Sequence, residues 1–305
     1  MVVVVVVALA GCASSRHRTS GSQRVSAQQL AERAFDAEDR GEMRQAASLL
    51  DESLQIDPTD CETRLRLSEL LLKHGDLPTA ARHLEQLAEQ NPDDPRIAFR
   101  LAQTRFLMGQ AEQAERWLTV GLELDPDNEE GLLLRGRLAE WRGDPDGARA
   151  TYMRVLDIAP DSNAARIRLA ALFCSSGQPN RAAPLARRVL DSERACPSEV
   201  ADAQWYLGEA YVLLGREVEG ESLLTAASKQ RLLSAEQWYE LALAQSRVGR
   251  DDEALRSTER ALAAAPRHSE AEQLHSWLTA RVSPEASPAI VPAQASSAGA
   301  PAVVP

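Results

Sequence analysis

Seven glycines keep one interval along this chain. Gly41, Gly75, Gly109, Gly143 and Gly177 lie 34 residues apart, Gly215 follows after 38, and Gly249 after another 34. Five residues beyond each stands a small residue: Ala46, Ala80, Ala114, Ala148, Ala182, Gly220 and Ala254. Twelve residues further on come Pro58, Pro92, Pro126, Pro160 and Pro266, while Arg194 and Leu232 take that slot in the fifth and sixth copies. A fixed period of this length is the mark of stacked supersecondary units, in which each copy buries its apolar face only against its neighbours.

Each mark has a local physical reason. A glycine just past a helix C-terminus takes the left-handed conformation at little cost, so it stops a first helix. The small residue lets a second helix pack closely on the first. The proline lacks an N–H and turns its predecessor away from helical angles, so it ends the second helix. Two residues later Asp60, Asp94, Asn128 and Ser162 stand where an N-cap is needed, and Ser26 and Ser234 occupy the equivalent slots elsewhere. Aromatic residues are only 4% of the sequence, and Ala, Leu, Glu, Arg and Gln recur throughout, so an all-β fold is excluded and helix is expected.

Helix, glycine stop, helix and proline turn at a period of 34 resemble the tetratricopeptide repeat family, whose pattern reads W-x2-L-G-x2-Y, then A-x3-F, then P. The sixth copy carries Leu207, Gly208 and Tyr211 with Trp205 one step displaced, the seventh Trp238, Leu241 and Ala242, and the fourth Ala148 and Tyr152 followed by Pro160. The resemblance implies an all-α, right-handed superhelical solenoid. Seven copies are expected over residues 27–268, with boundaries at 27–60, 61–94, 95–128, 129–162, 163–200, 201–234 and 235–268. Residues 269–282 are expected as a capping helix with Leu274, Trp277 and Leu278 on one face. Residues 283–305, Pro- and Ala-rich with Glu285 as the one charge, are expected to be disordered.

In such a stack the first helices line the concave surface, and residues three, four or seven apart share a face. The positions expected to form a peptide groove are Phe99, Gln103, Phe106, Arg137, Glu140, Trp141, Trp205, Glu209 and Tyr239, since aromatic and arginine anchors among polar neighbours are what an interface core uses. Any one of these aromatics is equally well accounted for as packing between copies. Tyr152, Phe173, Tyr211 and Trp238 match structural slots of the repeat and are left out. Members of the family with a carboxylate clamp hold a peptide C-terminus with Lys and Asn, and no first helix here carries that set.

The N-terminus points to a location. Residues 2–10 are nine apolar residues, too few for a membrane span, which needs about 20. Leu9-Ala10-Gly11-Cys12 resembles the lipobox of bacterial lipoproteins, which implies a signal segment over residues 1–12 and lipidation at Cys12. Residues 13–26, Ser- and Arg-rich, are expected as a flexible tether. Ala13 and Ser14 after the cysteine imply, by the same resemblance, the periplasmic face of the outer membrane. No basic residue precedes the apolar run, which departs from secretory signals and points to a translation start further upstream.

With 34 Lys plus Arg against 45 Asp plus Glu, the formal net charge is −11, which opposes a nucleic-acid partner. Cys61, Cys174 and Cys196 show no CxxC or Cys/His spacing, and a Cys174–Cys196 disulfide in an oxidising compartment stays open. His17, His74, His83, His268 and His275 are scattered, and there is no glycine-rich phosphate loop, so neither metal nor cofactor nor small-molecule substrate is expected. The expected function is therefore a non-enzymatic scaffold. It binds proteins or peptides through the groove and the membrane through an N-terminal lipid, as an adaptor in pilus or secretion assembly or cell-wall machinery. A soluble cytoplasmic scaffold with a mis-assigned start is the alternative.

Overall fold

Each interval of the repeat becomes a pair of packed helices. A computed structural model describes residues 21–282, and among them there are fifteen α-helices and no strand. The pairs are α1 (Gly21–Asp39) with α2 (Met43–Ile56), α3 (Cys61–Lys73) with α4 (Leu77–Gln90), α5 (Pro95–Leu107) with α6 (Ala111–Leu124), and α7 (Glu129–Trp141) with α8 (Pro145–Ile158). Then follow α9 (Asn163–Ser175) with α10 (Pro179–Leu190), α11 (Pro197–Leu213) with α12 (Glu217–Ser228), α13 (Ala235–Arg247) with α14 (Asp251–Ala264), and a single α15 (Ser269–Val282). The chain divides into two compact units between Thr151 and Tyr152, within α8.

The seven periodic glycines are, among the described residues, the ones with positive φ, from 64° at Gly177 to 80° at Gly249. At Gly143 the turn closes with two bonds that satisfy the end of α7: Gly143 N donates to Glu140 O at 2.9 Å and Asp144 N to Ala139 O at 2.9 Å. Second helices α2, α4, α6, α8 and α14 each stop two residues before the periodic proline. Asp60, Asp94, Asn128, Ser162 and Ser234 accept backbone N–H bonds at the starts of α3, α5, α7, α9 and α13, as their slots require.

The small residue of each copy is buried at the helix–helix contact: Ala80, Ala114, Ala148, Ala182 and Ala254 are all 0% exposed. In α12 the slot holds Gly220, where a Cβ would come 2.8 Å from the Gly208 carbonyl oxygen, so two backbones touch there. Leu50, Leu70, Leu84, Leu101, Leu118 and Leu132 fill the core of the first unit, and Tyr152, Leu169, Trp205 and Leu241 that of the second. α15 buries Leu274 and Leu278 against Ala242 and Ala254. That is how a terminal helix covers an apolar end.

Three local expectations differ. The tether expected to run to residue 26 is helical from Gly21, because Ala27 is buried and its carbonyl accepts from Ser53 Oγ at 2.8 Å, which ties the start of α1 to α2. Ser26 is consequently inside α1, its hydroxyl donating back to the Ser22 carbonyl at 3.1 Å, and caps nothing. The four-residue insertion lengthens α11 backwards to Pro197, with Glu199 accepting from Cys196 N at 3.0 Å. Residues 1–20 and 283–305, with the signal segment, Cys12, most of the tether and the tail, lie outside the described residues.

Candidate functional site

In the first unit the first helices α1, α3, α5 and α7 carry a ladder of arginines over rings and carboxylates. The Arg66 guanidinium lies 4.5 Å from the Phe35 ring centre and that of Arg137 lies 4.7 Å from the Phe106 ring centre. Between them Arg100 Nε donates to Glu69 at 2.8 Å. All three contacts join residues 31 apart. Equivalent positions are 34 apart, so each contact reaches a residue about one turn before the equivalent position on the next first helix.

Carboxylates bridge the steps. Glu38 receives Lys73 Nζ at 2.9 Å and Arg66 at 3.3 Å, and the Lys73 bond first of all holds its carboxyl below the ordinary range. Arg100 also reaches Glu130 at 2.9 Å and Gln103 at 3.4 Å. The ladder is thus largely neutralised from within, while Phe35 stays 48% exposed. Three hollows open on it. One of about 160 Å³ is lined by Phe99, Gln103, Glu130, Leu133, Leu134 and Arg137, a second, of about 330 Å³, by Phe35, Arg66, Glu69 and Lys73 among others, and a third, of about 690 Å³, by Gln28, Phe35 and Arg66 among others.

Gln103, Phe106, Arg137 and Glu140 are half-buried on this face, and Trp141 at the end of α7 is 64% exposed. Phe99 differs from expectation. It is 5% exposed and wedged between Gly121 and Gly131, where Cβ atoms would come 2.6 and 2.5 Å from its ring. It lines the hollow while staying almost wholly buried. The sequence reading passed over Arg66, Lys73, Arg100 and Glu130; the 31-residue offset between complementary residues is the signal that finds them.

In the second unit Trp205 is a correction. It is 1% exposed and packs with Leu224 and Ala227 of α12 and Leu241 and Ala244 of α13, so the indole is taken up by the contact between helix pairs and not by the groove. Glu209 is half-buried, and desolvation, then the charge of Glu240, push its carboxyl up to about 8. Desolvation and then Glu236 push Glu240 up to about 7. Neither has a basic partner among the described residues. Tyr239 is half-buried, its ring 5.2 Å from that of His268.

His268 has a structural task that the sequence reading did not assign. Its Nδ1 accepts from Ala271 N at 3.3 Å, capping α15, and its Nε2 meets Glu236 at 3.0 Å. Cys174 is buried, its thiol donating to the Tyr206 carbonyl at 3.5 Å, and burial raises its pKa, so it stays protonated. Cys61, Cys174 and Cys196 are free thiols. Among the described residues no three His, Cys, Asp or Glu side chains converge on a metal position, and no helix is long and apolar enough to cross a membrane.

A surface of rings, guanidiniums and paired carboxylates on rigid helices can bind a polypeptide, and comparison with known proteins agrees with the fold that carries it. Tetratricopeptide repeat models match residues 71–138, 142–204 and 237–272. No curated protein matches in sequence. A tetratricopeptide repeat protein from Parabacteroides merdae ATCC 43184 is similar over 84% of this chain and 99% of its own, at 15% identity and a TM-score of 0.61. In the APC/C hetero-tetramer Cut9–Hcn1 the likeness covers 83% of this chain and 48% of that one, at 16% identity and a TM-score of 0.70. The type IV pilus biogenesis factor PilW is similar over 71% of this chain and 98% of its own, at 16% identity and a TM-score of 0.58. With the repeat models covering more than half its length, this chain belongs to the tetratricopeptide repeat family.

Proposed function

We propose that the protein is a non-enzymatic scaffold of the bacterial cell envelope, anchored through a lipid on Cys12, whose first unit holds a polypeptide partner along the face of α3, α5 and α7. The observation that carries the binding reading is the Arg137–Phe106 stack at 4.7 Å beside the hollow lined by Gln103 and Leu133. The guanidinium presents a fixed positive charge beside the hollow while the ring offers apolar area, the pairing that suits a polypeptide partner. The envelope reading rests on Leu9-Ala10-Gly11-Cys12, and PilW, a pilus biogenesis factor of the same fold, fits an assembly role.

Two experiments test these separately. Partner recovery by cross-linking and mass spectrometry in the native organism should be lost with Phe106→Ala combined with Arg137→Glu, while melting stays nearly unchanged; recovery unaffected by that pair sinks the groove. Palmitate incorporation should be present in the native chain and absent in Cys12→Ala, and an unlabelled native chain sinks the anchor.

A further inference from the structure

The second unit has a groove of its own, on the part of α8 beyond Thr151 and on α9 and α10. It holds about 450 Å³ and is walled by Met153 and Leu156 of α8 on one side and by the face of α10 on the other. Its floor is Leu169 and Phe173 of α9, only 2% and 3% exposed. The α10 wall presents Arg181, Pro184, Leu185 and Arg188, residues at i, i+3, i+4 and i+7 of one helical stripe. Met153 is 48% exposed at the rim, a flexible apolar side chain suited to moulding on a partner.

The charge around this groove runs against the rest of the chain. From Ser162 to Leu190 there are five arginines, Arg166, Arg168, Arg181, Arg187 and Arg188, and no Asp or Glu, in a protein of net charge −11. Arg187 is spent on the Tyr211 hydroxyl. Arg181 lies 4.0 Å over the Phe173 ring and donates to Gln178 at 3.1 Å, and neither Arg181 nor Arg188 has a carboxylate partner among the described residues. Pro184 inside α10 adds a backbone acceptor. It has no N–H, so the Asn180 carbonyl on the groove wall loses its helical donor.

We propose that this groove docks an acidic amphipathic helix of a partner protein, with apolar side chains at i+3 and i+4 against Met153, Leu156 and Leu185 above the Leu169–Phe173 floor, and carboxylates at i and i+7 on Arg181 and Arg188. The two arginines are seven residues apart on α10, which spaces their Cα atoms about 10 Å along the axis, the same interval as i and i+7 on a second helix. Charge of one sign bracketing an apolar floor sets both register and choice of partner. An anionic bilayer fits less well, because Leu169 and Phe173 are recessed and the net charge of the whole chain opposes approach.

The test uses the full chain and a fluorescein-labelled 14-residue peptide with Glu at i and i+7 and Leu and Phe at i+3 and i+4, read by fluorescence anisotropy. Saturable binding is expected, weakened by about tenfold or more in Arg181→Glu with Arg188→Glu, and falling as salt is raised. A peptide with Lys in place of both Glu should bind the reversed variant better than the native chain, a rescue that loss of folding would not produce. The Phe106→Ala, Arg137→Glu variant should bind the acidic peptide as the native chain does, so failure of the first-unit groove leaves this result intact. No saturable binding, equal binding by the reversed variant, or Arg181- and Arg188-dependent binding to phosphatidylglycerol vesicles without binding to the peptide overturns the proposal.

Discussion

Glu209 and Glu240 make the stability of the second unit depend on pH in a direction opposite to that of paired surface carboxylates. Burial and then the charge of Glu240 raise Glu209 from 4.5 to about 8. Glu240, raised by burial and then by Glu236, reaches about 7. The folded state therefore holds these protons more tightly than the unfolded chain, and the stability they contribute is present in full below the ordinary carboxyl value and lost as pH rises through the raised one. At about 1.36 kcal/mol per pKa unit, Glu209 alone gives up on the order of 3 kcal/mol between about pH 5 and pH 8. In a domain of this size 1 kcal/mol moves the melting temperature by about 3 °C, so a decline of about 9 °C is expected across that range. Thermal melts followed by circular dichroism at 222 nm, at several pH values across that window, measure it. Glu209→Gln keeps the shape and removes the ionisation, so it should flatten the dependence and melt above the native chain at the alkaline end. Parallel lines for native and variant refute the argument, because they mean that the Glu209 carboxylate is hydrated.

Other perturbations separate conformational from packing effects. Gly143 has φ +72° and open space around a Cβ, so Gly143→Val should cost about 1–2 kcal/mol or more through backbone conformation alone, read as a lower urea midpoint. Gly131→Ala meets the Phe99 ring at 2.5 Å and should also destabilise, but unlike Gly143→Val it should be partly rescued by Phe99→Leu. Trp205→Ala should cost about 3–5 kcal/mol in the second unit, the loss expected of a fully buried core aromatic, with a melt that separates it from the mild Phe106→Ala. Under native conditions iodoacetamide should modify exposed Cys196 and spare buried, protonated Cys174, and equal labelling of both by mass spectrometry contradicts the packing of α9 on α11.

The fold was legible because its punctuation is local. Positive φ at Gly143 and Gly249, the cap at Asp60 and the stop before Pro126 depend on a few neighbouring residues, and the sequence contains those residues. The site was legible only in part. Arg137 over Phe106 follows from the repeat, yet Trp205 reads identically as groove or core at the level of spacing, and the indole lies between helix pairs. Helical period names a face and not its depth.

What the sequence by itself determined is the run of paired helices, their junctions and the family to which they belong, because backbone preferences of Gly, Pro and capping residues act within one turn. Tertiary structure alone decided which side chains answer each other across copies. The 31-residue offset that pairs Glu69 with Arg100, the desolvation of Glu209 and the hollow between Met153 and Leu185 arise from how neighbouring helices lie against one another. Distance, burial and dielectric around a charge are properties of that packing, and no single copy of the repeat contains them.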